Sequence, residues 1–213
     1  MDVARQQLEL RRGLESRGIR DPRVLDAIQN TRRDRFVPSS VRRYAYYDDA
    51  LPIGHGQTIS QPYIVALMTQ AAALTGEETV LEIGTGSGYQ AAVLSRLCRR
   101  VVTIERIAEL AEPAKQVLHE LGVENVTFIT GDGTLGCPEL APYDAILVTA
   151  AAPDIPAPLY EQLRDGGRLI IPVGNEEMQE LACVVKTPAG AEIRDLCGCR
   201  FVKLIGEHGW RYD

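Results

Sequence analysis

The chain has 213 residues and 45% hydrophobic side chains, which suffices for one globular domain with a continuous core. Its formal net charge of −6 argues against a nucleic-acid substrate. The charged N-terminus predicts neither a signal peptide nor a membrane span, and the scattered cysteines and histidines predict neither disulfides nor a metal site. A cytoplasmic protein with reduced thiols is therefore expected.

The first sixty residues differ in pattern from the rest of the chain. Two short helices are predicted over residues 3–17 and 22–30, the second favoured by Asp21 and Pro22 at its start. Residues 32–60 mix aromatic, charged, glycine and proline residues without a clear period. That composition predicts an ordered loop region, and such regions often cover a site.

From residue 61 onward, strands alternate with helices. A helix follows Pro62, and apolar runs then predict strands at residues 79–84, 101–105, 126–130, 143–148 and 167–173. The alternation predicts an α/β fold: a doubly wound, Rossmann-like, mostly parallel sheet with helices on both faces.

The alternation stops after Gly174. Three further strands, expected at residues 181–185, 192–196 and 201–205, predict an antiparallel addition whose order the sequence leaves open. We interpret residues 1–213 as a single domain. It comprises an N-terminal helical and substrate-loop extension (1–60), a cofactor-binding core (61–174) and C-terminal strands (175–213).

A glycine motif follows the first predicted strand of the core. Its order is an acidic residue followed by G-x-G-x-G, whereas a nicotinamide or flavin site favours G-x-G-x-x-G and this chain has Tyr89 at that third glycine's place. The motif resembles the signature of class I S-adenosylmethionine methyltransferases, although a glycine loop can also serve merely to turn a strand. The candidate cofactor-binding residues here are Glu82, Gly84, Thr85, Gly86 and Gly88.

Two more signals follow the next two predicted strands. Glu105 ends one of them, where a carboxylate can accept hydrogen bonds from ribose hydroxyls. Asp132 and Gly133 follow the other, where an acid and flexible backbone can read an adenine edge. Either feature alone could be a solvated strand end or a turn. Because parallel strands end at one rim of the sheet, together they predict a cofactor site there.

The segment before the glycine motif points to a substrate. Thr58-Ile59-Ser60-Gln61-Pro62 closely resembles the N-terminal motif of the protein-L-isoaspartate (D-aspartate) O-methyltransferases, and family-like stretches continue in order from about residue 10 to 210. The resemblance implies methyl transfer from S-adenosylmethionine to the α-carboxyl of L-isoaspartyl residues in damaged proteins and peptides. It also implies S-adenosylhomocysteine as product and no metal.

By the same resemblance, Ser60 is the active-site residue that orients the carboxylate, with Thr58 and Ile59 as substrate-binding neighbours. The alternative is that Thr58 or Ser60 merely caps the helix opened by Pro62. Rival functions are a methyltransferase for another substrate, a non-catalytic S-adenosylmethionine module and, more distantly, a nicotinamide dehydrogenase.

The chain departs from the family pattern near its end. Many relatives would have Pro-Leu after Phe201-Val202, but this chain has Lys203-Leu204. We hypothesise that residues 201–206 lie beside the bound peptide by strand addition. The sequence does not determine the role of Lys203, His208 or Trp210.

Overall fold

The computed structural model describes residues 2–211. Its N-terminal helices, α1 (Val3–Ser16) and α2 (Pro22–Gln29), confirm the two predicted helices. Asp2 and Asp21 each accept a backbone N–H of the first turn, from Ala4 and Arg23, so an aspartate caps both helices.

The core elements follow the predicted alternation. The helices are α3 (Pro62–Ala72), α4 (Tyr89–Leu94), α5 (Ala108–Glu120) and α6 (Ala157–Glu161). The strands are β3 (Thr79–Ile83), β4 (Arg100–Glu105), β5 (Val126–Thr130), β6 (Tyr143–Val148), β7 (Leu163–Gly174), β8 (Gln179–Thr187) and β9 (Gly190–Cys199).

Within the described residues, these strands form one sheet in the order β5-β4-β3-β6-β7-β8-β9. The pairs from β5 to β7 are parallel, and β8 and β9 are added antiparallel as a meander. The predicted fold class is thereby confirmed. Between β3 and β6 the chain changes direction across the sheet, and ligands bind beyond such a switch point in this architecture.

The last predicted strand is wrong. Residues 201–205 form isolated bridges, one joining Lys203 to Ala151 and one joining Ile205 to Trp210, instead of a strand of the sheet. Their β-like pattern reflects burial against the loop after β6, where Leu204 is 5% exposed. Periodicity alone does not separate a buried extended tail from a strand.

Buried side chains form two clusters, one on each face of the sheet. The larger cluster joins the N-terminal helices, α3 and α4 to alternate strand residues such as Val80 and Leu147. The smaller cluster joins α6 to residues such as Leu81 and Ile146. Because successive strand residues point to opposite faces, the nearly continuous apolar runs of β3 and β6 fill both clusters.

Residues 32–60 contain more regular structure than the sequence predicts. Two short 3-10 turns (Arg33–Arg35 and Arg42–Tyr44) precede a hairpin of β1 (Leu51–Gly54) and β2 (Gln57–Ile59). The hairpin turn places His55 and Gly56 at positive φ. Strands this short carry too little alternation for a sequence pattern to reveal them.

Candidate active site

An open cleft lies at the carboxyl ends of β3, β4 and β6. One side, here called the glycine-turn wall, comprises residues 83–87 and 104–106. A second part of the lining, here called the hairpin wall, comprises residues 57–60 together with residues 202–205 of the tail. The predicted cofactor and substrate segments therefore line one cleft.

The glycine turn begins where β3 ends. Gly84 has a φ of +93°, and a Cβ there would lie 2.5 Å from Thr149 Oγ1. The Thr149 hydroxyl donates to the carbonyls of Ile83 and Gly84, at 3.0 and 2.7 Å, which fixes the turn from the end of β6. Gly84, Thr85 and Gly86 line the cleft as predicted.

Gly88 has another role. It has a φ of +86°, and a Cβ there would lie 2.7 Å from Leu118 Cδ1 and 3.2 Å from Ala114 Cβ of α5. Gly88 is thus required for the close packing of α4 against α5. Gly88 is not among the residues that line the cleft.

Glu105, at the end of β4, is 6% exposed and lines the cleft. Its Oε2 accepts the Gly86 N–H at 2.8 Å and its Oε1 accepts the Ile107 N–H at 3.0 Å. A carboxylate has about four acceptor positions, so two backbone bonds leave capacity for ligand hydroxyls. The structure places Glu105 where the sequence predicts it.

The predicted cofactor contact of Glu82 requires correction. Strand alternation turns this side chain away from the cleft and under the glycine turn, where it is fully buried. Its Oε2 accepts the Thr103 hydroxyl at 2.5 Å, and Thr103 in turn lies 2.6 Å from the Thr85 hydroxyl. Burial raises the pKa of Glu82 to about 8, so this carboxyl supports the turn as a largely protonated group at neutral pH.

Asp132, the predicted adenine contact, has hydrogen-bond partners within the chain. Its carboxylate accepts the Thr134 N–H and hydroxyl at 2.8 and 2.7 Å and the Glu207 N–H at 2.8 Å. These bonds hold the C-terminal tail, and Asp132 is not among the residues that line the cleft. Its neighbour Gly133 does line it. The sequence could not reveal this, because the tail is distant along the chain.

The hairpin wall carries the predicted substrate residues. Thr58, Ile59 and Ser60 all line the cleft; Thr58 is exposed and Ile59 is buried in the core. The cap residue of α3 is Gln61, which makes no side-chain hydrogen bond to the helix. Neither Thr58 nor Ser60 therefore caps the helix, and their hydroxyls are available to a ligand.

Two residues that the sequence reasoning missed hold the end of this hairpin. Arg33 donates to the Ser60 carbonyl at 3.1 Å. Asp48 accepts the Tyr63 N–H at 2.8 Å and also binds the Gln61 side chain, while forming an ion pair with Arg17. The spacing of residues along the chain does not reveal such contacts. The only sequence signal for them was the presence of charged residues without a clear period in residues 32–60.

The tail completes the hairpin wall. The Leu204 N–H donates to the Ala151 carbonyl at 2.8 Å, and the Trp210 indole N–H donates to the same carbonyl at 3.0 Å. Lys203 lines the cleft and forms an ion pair with Glu176. Because the Leu204 N–H is already bonded within the chain, it is not free for strand addition.

The sheet order, the glycine turn and an acidic residue at the end of β4 define a Rossmann-like methyltransferase.

None of the described helices is long and apolar enough to cross a bilayer. Within residues 2–211, no three or more His, Cys, Asp or Glu side chains cluster in a way that could hold a metal ion.

Comparison with known proteins narrows this class. The family model of protein-L-isoaspartate(D-aspartate) O-methyltransferase matches residues 5–209. A protein-L-isoaspartate O-methyltransferase of Dictyoglomus turgidum is 55% identical, over 93% of this chain and 90% of its own length. One of Geobacter metallireducens is 52% identical, over 98% of this chain and 97% of its own length.

Solved structures of similar proteins point to the same family. A protein-L-isoaspartate O-methyltransferase structure has a TM-score of 0.87 and 33% identity, covering 95% of this chain and 67% of that one. A Plasmodium falciparum structure in complex with S-adenosyl-L-homocysteine shares the fold, with a TM-score of 0.81 and 24% identity, covering 92% of this chain and 97% of that one. This chain belongs to the protein-L-isoaspartate(D-aspartate) O-methyltransferase family.

Proposed function

We propose that the chain transfers a methyl group from S-adenosylmethionine to the α-carboxyl of L-isoaspartyl residues, and that Ser60 orients that carboxyl. One observation carries the assignment of the site. The Thr58-Ile59-Ser60 segment and the glycine turn line the same cleft, so a donor and an acceptor bound to them would lie close together. The family membership supports the reaction class.

The residues of the glycine-turn wall fit an adenosyl group. Glu105 has unused acceptor capacity inside the cleft, and Gly84, Gly86 and Gly133 present backbone without side chains to the cleft. We assign Glu105 to the ribose hydroxyls and the glycines to close backbone contact. When bound, S-adenosylmethionine supplies an electrophilic methyl group on a sulfonium sulfur.

The acceptor needs little chemical activation. A carboxylate is ionised at neutral pH and is already a nucleophile, so no general base is required. It needs alignment and partial removal of water. The Ser60 hydroxyl makes no hydrogen bond within residues 2–211, and its backbone is held at the carbonyl by Arg33. This side chain can therefore donate to one carboxylate oxygen and leave the other free to attack.

The product suits a repair role. A methyl ester is more electrophilic than a carboxylate, so the backbone amide nitrogen can attack its carbonyl carbon and expel methanol. The resulting succinimide is opened by water and can give normal aspartate. Because many damaged proteins must be accepted, we assign recognition to the substrate backbone and the misplaced carboxylate. The described cysteines are all free, which fits a reducing, cytoplasmic location. The net charge of −6 speaks against a nucleic-acid partner.

The test uses two synthetic peptides that differ only in carrying L-isoaspartate or aspartate at one position. With labelled S-adenosylmethionine, base-labile label is expected on the isoaspartyl peptide alone. We expect Ser60→Ala to lower kcat/KM about 100-fold, the scale for losing a hydrogen bond that positions a charged group. Its affinity for S-adenosylhomocysteine should stay unchanged.

Ser95→Ala is the matched control, because that hydroxyl bonds the Ala92 carbonyl away from the cleft. Cofactor binding without transfer to either peptide would reject the proposed substrate and favour a non-catalytic module or another acceptor. Full activity of Ser60→Ala would reject the role of Ser60 alone.

A further inference from the structure

Arg33 is a fully buried arginine, with a relative exposure of 0%. It lies in the first 3-10 turn, and its side chain reaches under the β1–β2 hairpin. Burying a guanidinium is costly unless its donors are satisfied, and a hydrophobic side chain of similar volume would fill the same space at lower cost. The contacts of the guanidinium should therefore explain why a charged side chain is buried at this position.

The guanidinium binds backbone carbonyls on both sides of the hairpin. One terminal nitrogen, Nη2, donates to the Asp49 carbonyl at 3.0 Å and to the Ser60 carbonyl at 3.1 Å. These residues flank the hairpin, one before β1 and one after β2. The other terminal nitrogen, Nη1, donates to the Ala45 carbonyl, while the buried Nε has no hydrogen-bond partner among residues 2–211. A single planar fork thus joins the two ends of the hairpin to the segment before it.

The nearby Asp48 and Asp49 act on Arg33 electrostatically without forming an ion pair with it. Asp48 forms its ion pair with Arg17, and within residues 2–211 no ion pair to Arg33 is present. Burial lowers the pKa of the Arg33 guanidinium, although an arginine stays protonated at neutral pH. Because every printed hydrogen bond of the Arg33 guanidinium goes to a backbone carbonyl, the arrangement serves to fix backbone atoms rather than to pair charges.

The same side chain also approaches the glycine-turn side. The Arg33 guanidinium carbon lies 5.7 Å from the centre of the Tyr89 ring, and Tyr89 begins α4 directly after the glycine turn. Phe36, three residues after Arg33, contacts the same ring edge-on at 5.6 Å. Arg33 therefore sets the hairpin against a rigid part of the core.

We propose that Arg33 is a positioning residue that acts through Ser60, by clamping both ends of the β1–β2 hairpin at their carbonyls. The inference rests on the proposed function, because it assumes that Ser60 orients the acceptor carboxylate. Lysine at this position would keep the charge and some donors but not the planar fork. Methionine would keep much of the volume and remove every donor.

The test is a double-mutant cycle with the isoaspartyl peptide. We expect Arg33→Met to lower kcat/KM about 50-fold in the wild-type background and less than about threefold in Ser60→Ala, because coupled residues are not additive. Arg33→Lys should fall between wild type and Arg33→Met. Affinity for S-adenosylhomocysteine should change by less than about twofold, because the hydrogen bonds of Arg33 go to Ala45, Asp49 and Ser60 and none goes to the glycine-turn wall.

Arg168→Met is the matched control. Arg168 also donates to a backbone carbonyl, that of Ala71 at 3.1 Å, but at the far end of α3. It should leave kcat/KM unchanged. Equal losses from Arg33→Met in both backgrounds would overturn the proposal, as would a parallel loss of cofactor affinity. Failure of both Arg33 variants to fold would also overturn it, because Arg33 would then hold the domain rather than the hairpin.

The failure of the proposed function looks different. Wild-type protein would then methylate no isoaspartyl peptide, and Ser60 would have no acceptor to orient. Amide hydrogen exchange at residues 57–60 would still test whether Arg33 holds the β1–β2 hairpin in place. Faster exchange in Arg33→Met than in Arg168→Met supports it, and equal exchange overturns it.

Discussion

The two walls of the cleft are built by different means. The glycine-turn wall consists of residues that directly follow strands of one sheet, and its main side-chain contacts, such as Glu105 to the Gly86 N–H, join neighbouring strand ends. The hairpin wall is assembled from segments far apart in sequence. Arg33 reaches 27 residues along the chain to Ser60, and the tail reaches back 59 residues from Trp210 to Ala151.

Because of this difference, we expect substitutions to affect the two walls in different ways. The sheet fixes the glycine-turn wall, so a substitution there should change ligand contacts more than geometry. A few polar bonds fix the hairpin wall, so a substitution some distance from the cleft should change its geometry. Cofactor affinity and peptide KM should therefore respond to separate sets of residues.

The largest effect is expected from Glu105→Ala on the glycine-turn wall. It removes a buried carboxylate that accepts two backbone N–H groups and retains capacity for ribose hydroxyls. Affinity for S-adenosylhomocysteine, measured by calorimetry, should fall about 100-fold, the scale for hydrogen bonds to a charged group. The exposed Glu109 offers a control, since Glu109→Ala should bind normally. A loss below about threefold would break the assignment.

Glu82 should affect a different quantity, the dependence of stability on pH. Its folded-state pKa of about 8 exceeds that of an unfolded glutamate, so the folded state keeps a proton that the unfolded chain releases. The contribution of Glu82 to stability is therefore complete below about pH 4.3 and is lost as pH rises to about 8. Over that window the difference in unfolding free energy between wild type and Glu82→Gln should change by up to about 1.4 kcal/mol per pH unit.

Denaturant unfolding at several pH values compares the two proteins directly. Glu82→Gln cannot ionise, so its curve should lack this slope. Parallel curves for wild type and variant across the window would show that Glu82 is ionised in the folded protein. Buried support of the glycine turn by a protonated group would then be excluded.

A smaller effect is expected from Asp48→Ala on the hairpin wall. It removes the acceptor of the Tyr63 N–H and an ion pair with Arg17. The peptide KM should rise about fivefold, because a helix-end hydrogen bond of this kind stabilises by about 1 kcal/mol. Cofactor affinity should not change. Steady-state kinetics at saturating cofactor measure the peptide KM, and calorimetry measures the cofactor affinity.

Asp26→Ala provides the comparison, because it removes another arginine–aspartate pair, Arg11 with Asp26, on the outer surface. It should leave both constants unchanged. If Asp48→Ala weakened cofactor binding as strongly as peptide binding, the two walls would not be independent.

The sequence by itself determined the sheet and most of one wall. Strand and helix periods are local properties of the sequence. Because parallel strands end at one rim of the sheet, the sequence also predicts that Gly84, Glu105 and Gly133 lie close together. The match at Thr58-Ile59-Ser60 likewise identified the hairpin residues that line the cleft. These predictions depended on residues within one element or its immediate end.

Only the tertiary structure decided where several polar side chains act. Strand alternation placed Glu82 beneath the glycine turn, helix packing placed Gly88 against α5, and the returning tail engaged Asp132. It also revealed Arg33, whose partners lie 12 to 27 residues away and are backbone carbonyls. A backbone carbonyl is present at every residue and carries no sequence signal. Contacts of this kind are therefore decided by how the chain folds back on itself, which no local pattern contains.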